Sequence, residues 1–200
     1  MIELLLSHTN YLARGFATNL LISVLSMSLG TVLGGLLGWL RARRVTALGP
    51  AAHMATNVCR NVPSFVLLFY MASMIPSEVT ISGTIMAVPL WIKATLALTF
   101  PVIGFTSDQS RGYFEQRRAG LSGAAETFVV AWVQYFLIII MASATASVIG
   151  ADEIVGRANI VISQNESPQF LLITYLYVSL WFLMAGLLMT SAVKLLTRPH

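Results

Sequence analysis

A run of 25 residues without a charged side chain, Phe16 to Leu40, constrains the fold of this 200-residue chain more than any other feature. A helix needs about 20 mostly apolar residues to cross the hydrocarbon core of a bilayer. Near the other end of the chain, Phe170 to Val193 is a second run of this kind. Charged residues make up only 10% of the chain, against about 25% in a soluble domain. We therefore predict a membrane protein.

Three further apolar runs complete an all-α membrane protein with five transmembrane helices in a single domain over residues 1–200. The predicted spans are 16–40, 58–75, 90–106, 128–149 and 170–193. The third span begins after Pro89, and residues 81–88 are interpreted as an interfacial segment, because proline discourages a straight helix. Lys93 then lies near the headgroups, where its ammonium group can reach water. The longest inner connection is 107–127.

The distribution of basic residues predicts the orientation. With the N-terminus outside, nine of the twelve basic residues fall in inner loops and helix ends: Arg41, Arg43, Arg44, Arg60, Arg111, Arg117, Arg118, Lys194 and Arg198. Cytoplasmic loops carry an excess of Lys and Arg, so we expect the N-terminus outside and the C-terminus in the cytoplasm. We expect no cleaved signal peptide, because the basic cluster follows the first apolar run.

The reactive residue types form none of the usual catalytic or ligand-binding patterns. Cys59 is the only cysteine, and His8, His53 and His200 lack metal-ligand spacing. The chain also lacks a phosphate-binding glycine loop, a Ser-His-Asp set and a basic-aromatic patch for nucleic acid. We predict a non-enzymatic chain with no cofactor or metal of its own and no nucleic-acid partner.

A stripe of small residues marks the first span. Gly30, Gly34 and Gly38 recur every four residues, so they share one helical face that a second helix can approach closely. Contact within the chain and contact with another subunit both fit this spacing.

Two polar regions are candidates for a transport pathway. In the fourth span these are Ser143, Thr145 and Ser147; at the inner end of the second span they are Arg60, Asn61 and Pro63. The hydroxyl run fits either a tight helix crossing or a pathway wall. Pro63 predicts a kink or a helix start, which is either structural or a hinge. The 107–127 connection fits either a simple turn or a short helix presented to a soluble partner.

Four motifs, taken in order, carry a resemblance to a known family. They are Arg14-Gly15-Phe16-Ala17-Thr18-Asn19-Leu20, Arg60-Asn61-Val62-Pro63, Gly104-Phe105-Thr106-Ser107-Asp108 with Arg111-Gly112, and Ala146-Ser147-Val148-Ile149-Gly150-Ala151-Asp152-Glu153-Ile154. Nearly the whole chain resembles the integral membrane subunits of type I ABC importers, and most closely those of the polar amino-acid uptake branch.

This resemblance implies a permease subunit in a bacterial cytoplasmic (inner) membrane. Such subunits pair as homodimers or heterodimers, receive solute from a periplasmic or extracellular binding protein, and are driven by two cytoplasmic ATPases that bind ATP and Mg. Their inner loop carries the EAA motif, which seats in a groove of the ATPase. The best match here implies that the coupling residues are Glu115, Arg117, Arg118, Ala119 and Gly120.

The chain departs from the family pattern at two places. Its inner loop is shortened and lacks the paired alanines of the EAA motif, and Met141-Ala142-Ser143-Ala144 replaces the usual Lys-Asp-Thr-Ser. Both departures favour a heterodimer with a more typical sister subunit. Two alternatives stay open: a subunit of a secondary transporter or channel that is not coupled to ATP, and an assembly factor that does not transport.

Overall fold

The computed structural model describes residues 2–43, 48–81, 83–165 and 167–196. In chain order the elements are α1 Ile2–Ser7, α2 Thr9–Ala42, α3 Gly49–Asn61, α4 Ser64–Met74, β1 Glu78–Ile81, β2 Thr84–Ala87, α5 Leu90–Arg118, α6 Ala124–Ser143, the 3-10 helix Ala144–Ile149, α7 Ile154–Ile162 and α8 Pro168–Leu196. Arg44 and Arg198, which contributed to the predicted orientation, lie outside the described residues.

Four helical segments of the described chain are long and apolar enough to cross a membrane. They are Thr9–Ala42, Leu90–Arg118, Ala124–Ile149 and Pro168–Ser191. Each contains one of the predicted spans or most of it. These segments define a multi-pass membrane protein, as the apolar composition predicts.

The second predicted span, 58–75, differs from the structure. α3 ends at Asn61, Val62 and Pro63 are extended with ψ of 124° and 125°, and α4 then begins at Ser64. Proline has no amide hydrogen to continue the helical ladder, and it pushes the preceding residue out of the helical region. The 11 residues of α4 extend about 16 Å, well short of the roughly 30 Å hydrocarbon core. A fifth crossing therefore stays a prediction.

A β-hairpin is the one departure from an all-helical fold among the described residues. Strands β1 and β2 pair antiparallel, with Glu78 opposite Ala87 and Ile81 opposite Thr84. Gly83 in the turn has a φ of +82°, a conformation that costs glycine little. β-branched side chains such as Val79 and Thr80 favour this extended pairing. The predicted interfacial segment at 81–88 is therefore mostly strand.

α2 and α5 form the centre of the bundle. A Cβ atom at Gly30 would overlap a methyl carbon of Val102, and one at Gly34 would lie 2.5 Å from the Ile103 carbonyl oxygen. At Gly38 the corresponding distance to the Ser107 carbonyl oxygen is 2.6 Å. The glycine stripe therefore packs within this chain, where it lets the two backbones touch.

α5 is longer than the third predicted span because it continues to Arg118. The charged residues of this extension suit a helix, since Arg111 and Glu115 form an ion pair one turn apart. Only residues 119–123 then connect α5 to α6, with φ of +73° at Gly120 and +84° at Gly123. Most of the predicted 107–127 connection is accordingly an extension of α5, followed by a tight turn.

Candidate functional site

A buried polar cluster joins three parts of the chain that are far apart in sequence. Asn19 of α2, Ser143 at the end of α6 and Glu153 before α7 are all fully buried. The amide nitrogen of Asn19 donates to Ser143 Oγ and to Glu153 Oε2, both at 2.9 Å. The amide oxygen of Asn19 accepts from the Ile154 backbone at 3.0 Å. Asn19 thus connects α2 to the end of α6 and the start of α7; we call these three residues the Asn19 cluster.

Glu153 is also the N-terminal cap of α7. Its carboxylate accepts hydrogen bonds from the backbone amides of Val155 at 3.0 Å and Gly156 at 2.7 Å. Burial raises the pKa of Glu153 above its ordinary value of 4.5, while the hydrogen bonds from Val155, Asn19 and Gly156 oppose that rise. Three donors converge on the carboxylate and offset part of the desolvation cost of its ionised form, but the pKa stays raised.

A second polar cluster lies where α2, α3 and α5 come together, toward the ends of α2 and α5. Asp108 accepts from Arg41 at 2.8 Å and from Arg60 at 3.0 Å. The Arg41 side chain is only 5% exposed, whereas that of Arg60 is 53% exposed. Arg41 also donates to Ser107, whose hydroxyl lies 2.8 Å from that of Thr56. Asp108 therefore holds three helices together through one buried and one exposed arginine; we call this the Asp108 cluster.

The five predicted coupling residues lie together at the exposed end of α5. Glu115 pairs with Arg111 at 2.8 Å, and Arg117 donates to the Tyr113 hydroxyl at 3.1 Å. Arg118 donates to the Ala42 carbonyl at the end of α2, at 3.0 Å. Ala119 ends the helix, and Gly120 begins the turn to α6.

Two open clefts flank this end of α5, and both include Ala42 and Arg118. The larger cleft has a volume of about 610 Å³ and is lined by Arg41, Ala42, Arg111, Glu115, Arg118 and Ala119. The smaller has a volume of about 250 Å³ and is lined by Trp39, Ala42, Arg43, Phe114, Arg117 and Arg118. Arginine dominates both linings, so this end of the bundle favours anionic groups.

The predicted pathway residues separate into two regions and differ in accessibility. Ser143 is buried in the Asn19 cluster, Ser147 is half-buried and donates to the Ala144 carbonyl, and Thr145 is exposed. The second region contains Arg60 of the Asp108 cluster, exposed Asn61, which donates to the Asn57 carbonyl, and Pro63, which precedes α4.

The Lys93 side chain does not reach water, in contrast to its expected solvation, while its depth at the headgroups stays a prediction. It is 3% exposed, and its ammonium group donates to the carbonyls of Ala72 at 3.1 Å and Ile75 at 2.7 Å. These carbonyls belong to the last turn of α4 and the residue after it, which have no partners in the helix itself. A cation there also complements the negative end of the helix dipole. Lys93 therefore binds α4 to α5 instead of extending to water.

The motifs of the sequence contained several of these partners but gave no sign of their pairing. Asn19 and Glu153 belong to the first and last motifs, and Arg60 and Asp108 to the two between them. For Arg41, the sequence indicates only a basic residue after the first span. Among the described residues, no group of three histidine, cysteine or acidic side chains is arranged to hold a metal ion.

Solved structures of ABC transporters share this fold over nearly the whole chain. A chain of an amino acid ABC transporter with histidines superposes with a TM-score of 0.76 at 16% identity, covering 96% of this chain and 94% of that one. Two crystal forms of the MetNI methionine ABC transporter, in inward-facing conformations, give TM-scores of 0.67 and 0.64 at 17% and 19% identity. They cover 96% and 94% of this chain, and 99% and 96% of their own.

Sequence comparison does not assign the chain to a family, since no protein-family model and no curated protein matches it. The fold is nevertheless defined by the superpositions, which extend over almost the full length of this chain and of each matched chain. This multi-pass protein has the fold of the transmembrane permease subunits of type I ABC importers.

Proposed function

We propose that this chain is a permease subunit of an ATP-driven ABC importer. It forms a pathway with a second permease subunit, through which an amino acid or a similar small polar solute passes after delivery by an external binding protein. ATP and Mg are bound by two cytoplasmic ATPase subunits, and this chain catalyses no reaction itself. The observation that carries the proposal is the full-length agreement with the amino acid ABC transporter chain.

The end of α5 is the surface that contacts the ATPase in this proposal. ATP can shift a permease between two states only through contacts that differ in strength between those states. Glu115, Arg117, Arg118, Ala119 and Gly120 are all exposed at one tip of the chain. α5 is one helix of 29 residues, about 44 Å long, so movement of this tip can be transmitted to the Lys93 end.

The pathway lies beside α4 and the 3-10 helix. These two elements pack against each other, and each carries exposed side chains, including Tyr70 on α4 and Thr145 on the 3-10 helix. Thr145 and Ser147 supply polar groups to the pathway. Arg60, Asn61 and Pro63 lie just before the N-terminal end of α4. Ser143 supports this wall from behind, because its hydroxyl is already bound to Asn19.

The second permease subunit covers the pathway side of α4. Phe65, Val66, Phe69 and Met74 are between 43% and 63% exposed on this short helix. A heterodimer is favoured, because the sister subunit can provide the regular EAA motif and the charged pathway residues that this chain lacks. The complex belongs in a bacterial cytoplasmic membrane, with this chain's C-terminus inside.

The proposal is tested by purifying the tagged full-length chain with its native partners and reconstituting the complex. We expect two ATPase copies and solute uptake that requires ATP. Exchanging Arg117 and Arg118 for glutamate should abolish solute-stimulated ATP hydrolysis. Arg14→Glu, an exposed change on α2 near the other end of the bundle, is the matched control and should leave stimulation intact.

Three results would contradict the proposal or its assignment of the coupling surface. Uptake without nucleotide by a complex that contains no ATPase would identify a secondary transporter or channel. A complex that contains neither ATPase nor transport activity would identify an assembly factor. Normal stimulation in the double glutamate variant would remove the α5 tip from the coupling mechanism.

A further inference from the structure

The smaller cleft at the end of α2 combines an aromatic wall with arginines that lack acidic partners; we call it the Trp39 cleft. The guanidinium carbon of Arg43 lies 3.6 Å from the centre of the Trp39 ring, and Phe114 of α5 also lines the cleft. Arg43, Arg117 and Arg118 form no ion pair with any carboxylate in the part of the chain that the structure describes. The cleft is therefore an unneutralised positive site.

An apolar stripe leads from this cleft along the surface of α2. Val32, Leu36 and Trp39 follow one another at spacings of four and three residues, so they share a helical face. Val32 is 72% exposed and Leu36 is 54% exposed. A ligand that fills the cleft and continues along this stripe must have an anionic head and a long apolar tail.

We infer that the Trp39 cleft binds the headgroup of an anionic phospholipid. The phosphodiester contacts Arg43, the arginine of the cleft that the proposed coupling surface does not use, and an acyl chain lies along Leu36 and Val32. Tryptophan favours the level of the headgroups, and basic pockets between transmembrane helices suit anionic headgroups. The exposed apolar stripe argues for a lipid over free phosphate, which has no apolar part. This inference holds whether or not the chain is coupled to an ATPase.

The test measures lipid binding to the full-length chain in non-ionic detergent by native mass spectrometry. The probes are a short-chain phosphatidylglycerol, the matching phosphatidylcholine and inorganic phosphate. We expect a bound phosphatidylglycerol with at least tenfold preference over phosphatidylcholine, and no comparable binding of phosphate. Arg43→Gln should weaken phosphatidylglycerol binding about fivefold.

Two further variants separate the charge from the ring. Arg43→Lys keeps the charge but loses the planar stacking, so it should weaken binding less than Arg43→Gln. Trp39→Leu should weaken binding about two- to fivefold, because Arg43 loses the ring that holds it. Arg14→Gln is the matched control on α2: this exposed arginine near the other end should leave the dissociation constant unchanged. Thermal unfolding of each variant without lipid verifies that it is folded.

Three outcomes would overturn the inference. Binding of phosphatidylcholine as tight as that of phosphatidylglycerol would show that the headgroup charge does not determine affinity. Equal loss of affinity in Arg14→Gln would show that any surface arginine attracts the lipid. Binding of inorganic phosphate as tight as that of phosphatidylglycerol would assign the cleft to a free anion. None of these results bears on the coupling role of Arg117 and Arg118, since neither residue is changed.

Discussion

The amide nitrogen of Asn19 lies 2.9 Å from the carboxylate of Glu153, although 134 residues separate them along the chain. Both side chains are fully buried, and the contact joins α2 to the start of α7. A buried carboxylate needs donors to compensate for the water it has lost. Asn19 supplies the donor to Glu153 that comes from α2, so it connects the segment after the 3-10 helix to the centre of the bundle.

Replacing Asn19 by alanine should destabilise the protein by about 3 kcal/mol. The change removes a donor from a buried carboxylate and leaves the Ile154 amide without its acceptor, and each such loss costs about 1–3 kcal/mol. Unfolding of the purified chain in detergent measures the effect. Ser28→Ala on the same helix is the control, because the Ser28 hydroxyl is exposed and bonds only within α2. Its effect should stay within about 0.5 kcal/mol.

The same cluster predicts a pH dependence of stability. Because burial raises the pKa of Glu153 above 4.5, the folded state binds more protons than the unfolded state between 4.5 and the raised value. The free energy of unfolding contributed by Glu153 is therefore largest below pH 4.5 and falls as the pH rises through the folded-state pKa. Subtracting the unfolding free energy of Glu153→Gln at each pH isolates this contribution. A difference that stays flat would show that the hydrogen bonds balance burial, and one that increases with pH would show that they outweigh it.

Replacing Asp108 by asparagine should destabilise the bundle by about 3 kcal/mol or more. The variant leaves the buried guanidinium of Arg41 without its carboxylate, and breaking a buried ion pair on one side costs about 3–5 kcal/mol. Glu115→Gln is the control, because Arg111 and Glu115 are 43% and 50% exposed. Exposed pairs one helical turn apart contribute only about 0.3–0.5 kcal/mol. If Asp108→Asn lowers the free energy of unfolding by no more than Glu115→Gln does, the Arg41 guanidinium binds another partner in that variant.

Adjacent glycines on α2 should respond oppositely to alanine. At Gly34 the new methyl carbon would lie 2.5 Å from a backbone oxygen of α5, so the helices must separate, at a cost of about 1–3 kcal/mol. At Gly35 the nearest atom is Ser110 Oγ at 3.9 Å. Gly35→Ala should therefore be neutral or stabilise the protein by up to about 1 kcal/mol, because alanine is the better helix former. Thermal unfolding of both variants distinguishes helix contact from a general sensitivity of α2.

The long apolar helices could be predicted from the sequence because one physical requirement dominates them. Within a bilayer, every backbone polar group must be hydrogen-bonded within the protein. A charge-free run such as Phe16 to Leu40 is therefore expected to form a helix. The regular spacing of Gly30, Gly34 and Gly38 likewise predicts a close helix approach. It does not identify the partner, because any helix with a flat surface fits the same stripe.

Polar residues were less predictable because their positions depend on contacts between distant segments. The transfer cost of a lysine predicts that Lys93 extends to water, but its ammonium group instead donates to the carbonyls at the end of α4. The contact between Asn19 and Glu153 has no local signature either. The continuation of α5 to Arg118 is not predicted, because charged residues are as typical of a loop as of an exposed helix.

The structure also distinguishes two of the predicted pathway residues, Ser143 and Thr145. Ser143→Leu should prevent folding or assembly, since Ser143 is fully buried and its hydroxyl binds Asn19. Thr145→Leu should fold normally, because Thr145 is exposed and its hydroxyl bonds only to the nearby Ala142 carbonyl. If Thr145 lines the pathway, the larger side chain should lower solute uptake severalfold while the yield of the purified complex is unchanged. Thr145→Ser, which keeps the hydroxyl without adding volume, should transport at the wild-type rate. Wild-type uptake by Thr145→Leu would remove the 3-10 helix from the pathway wall.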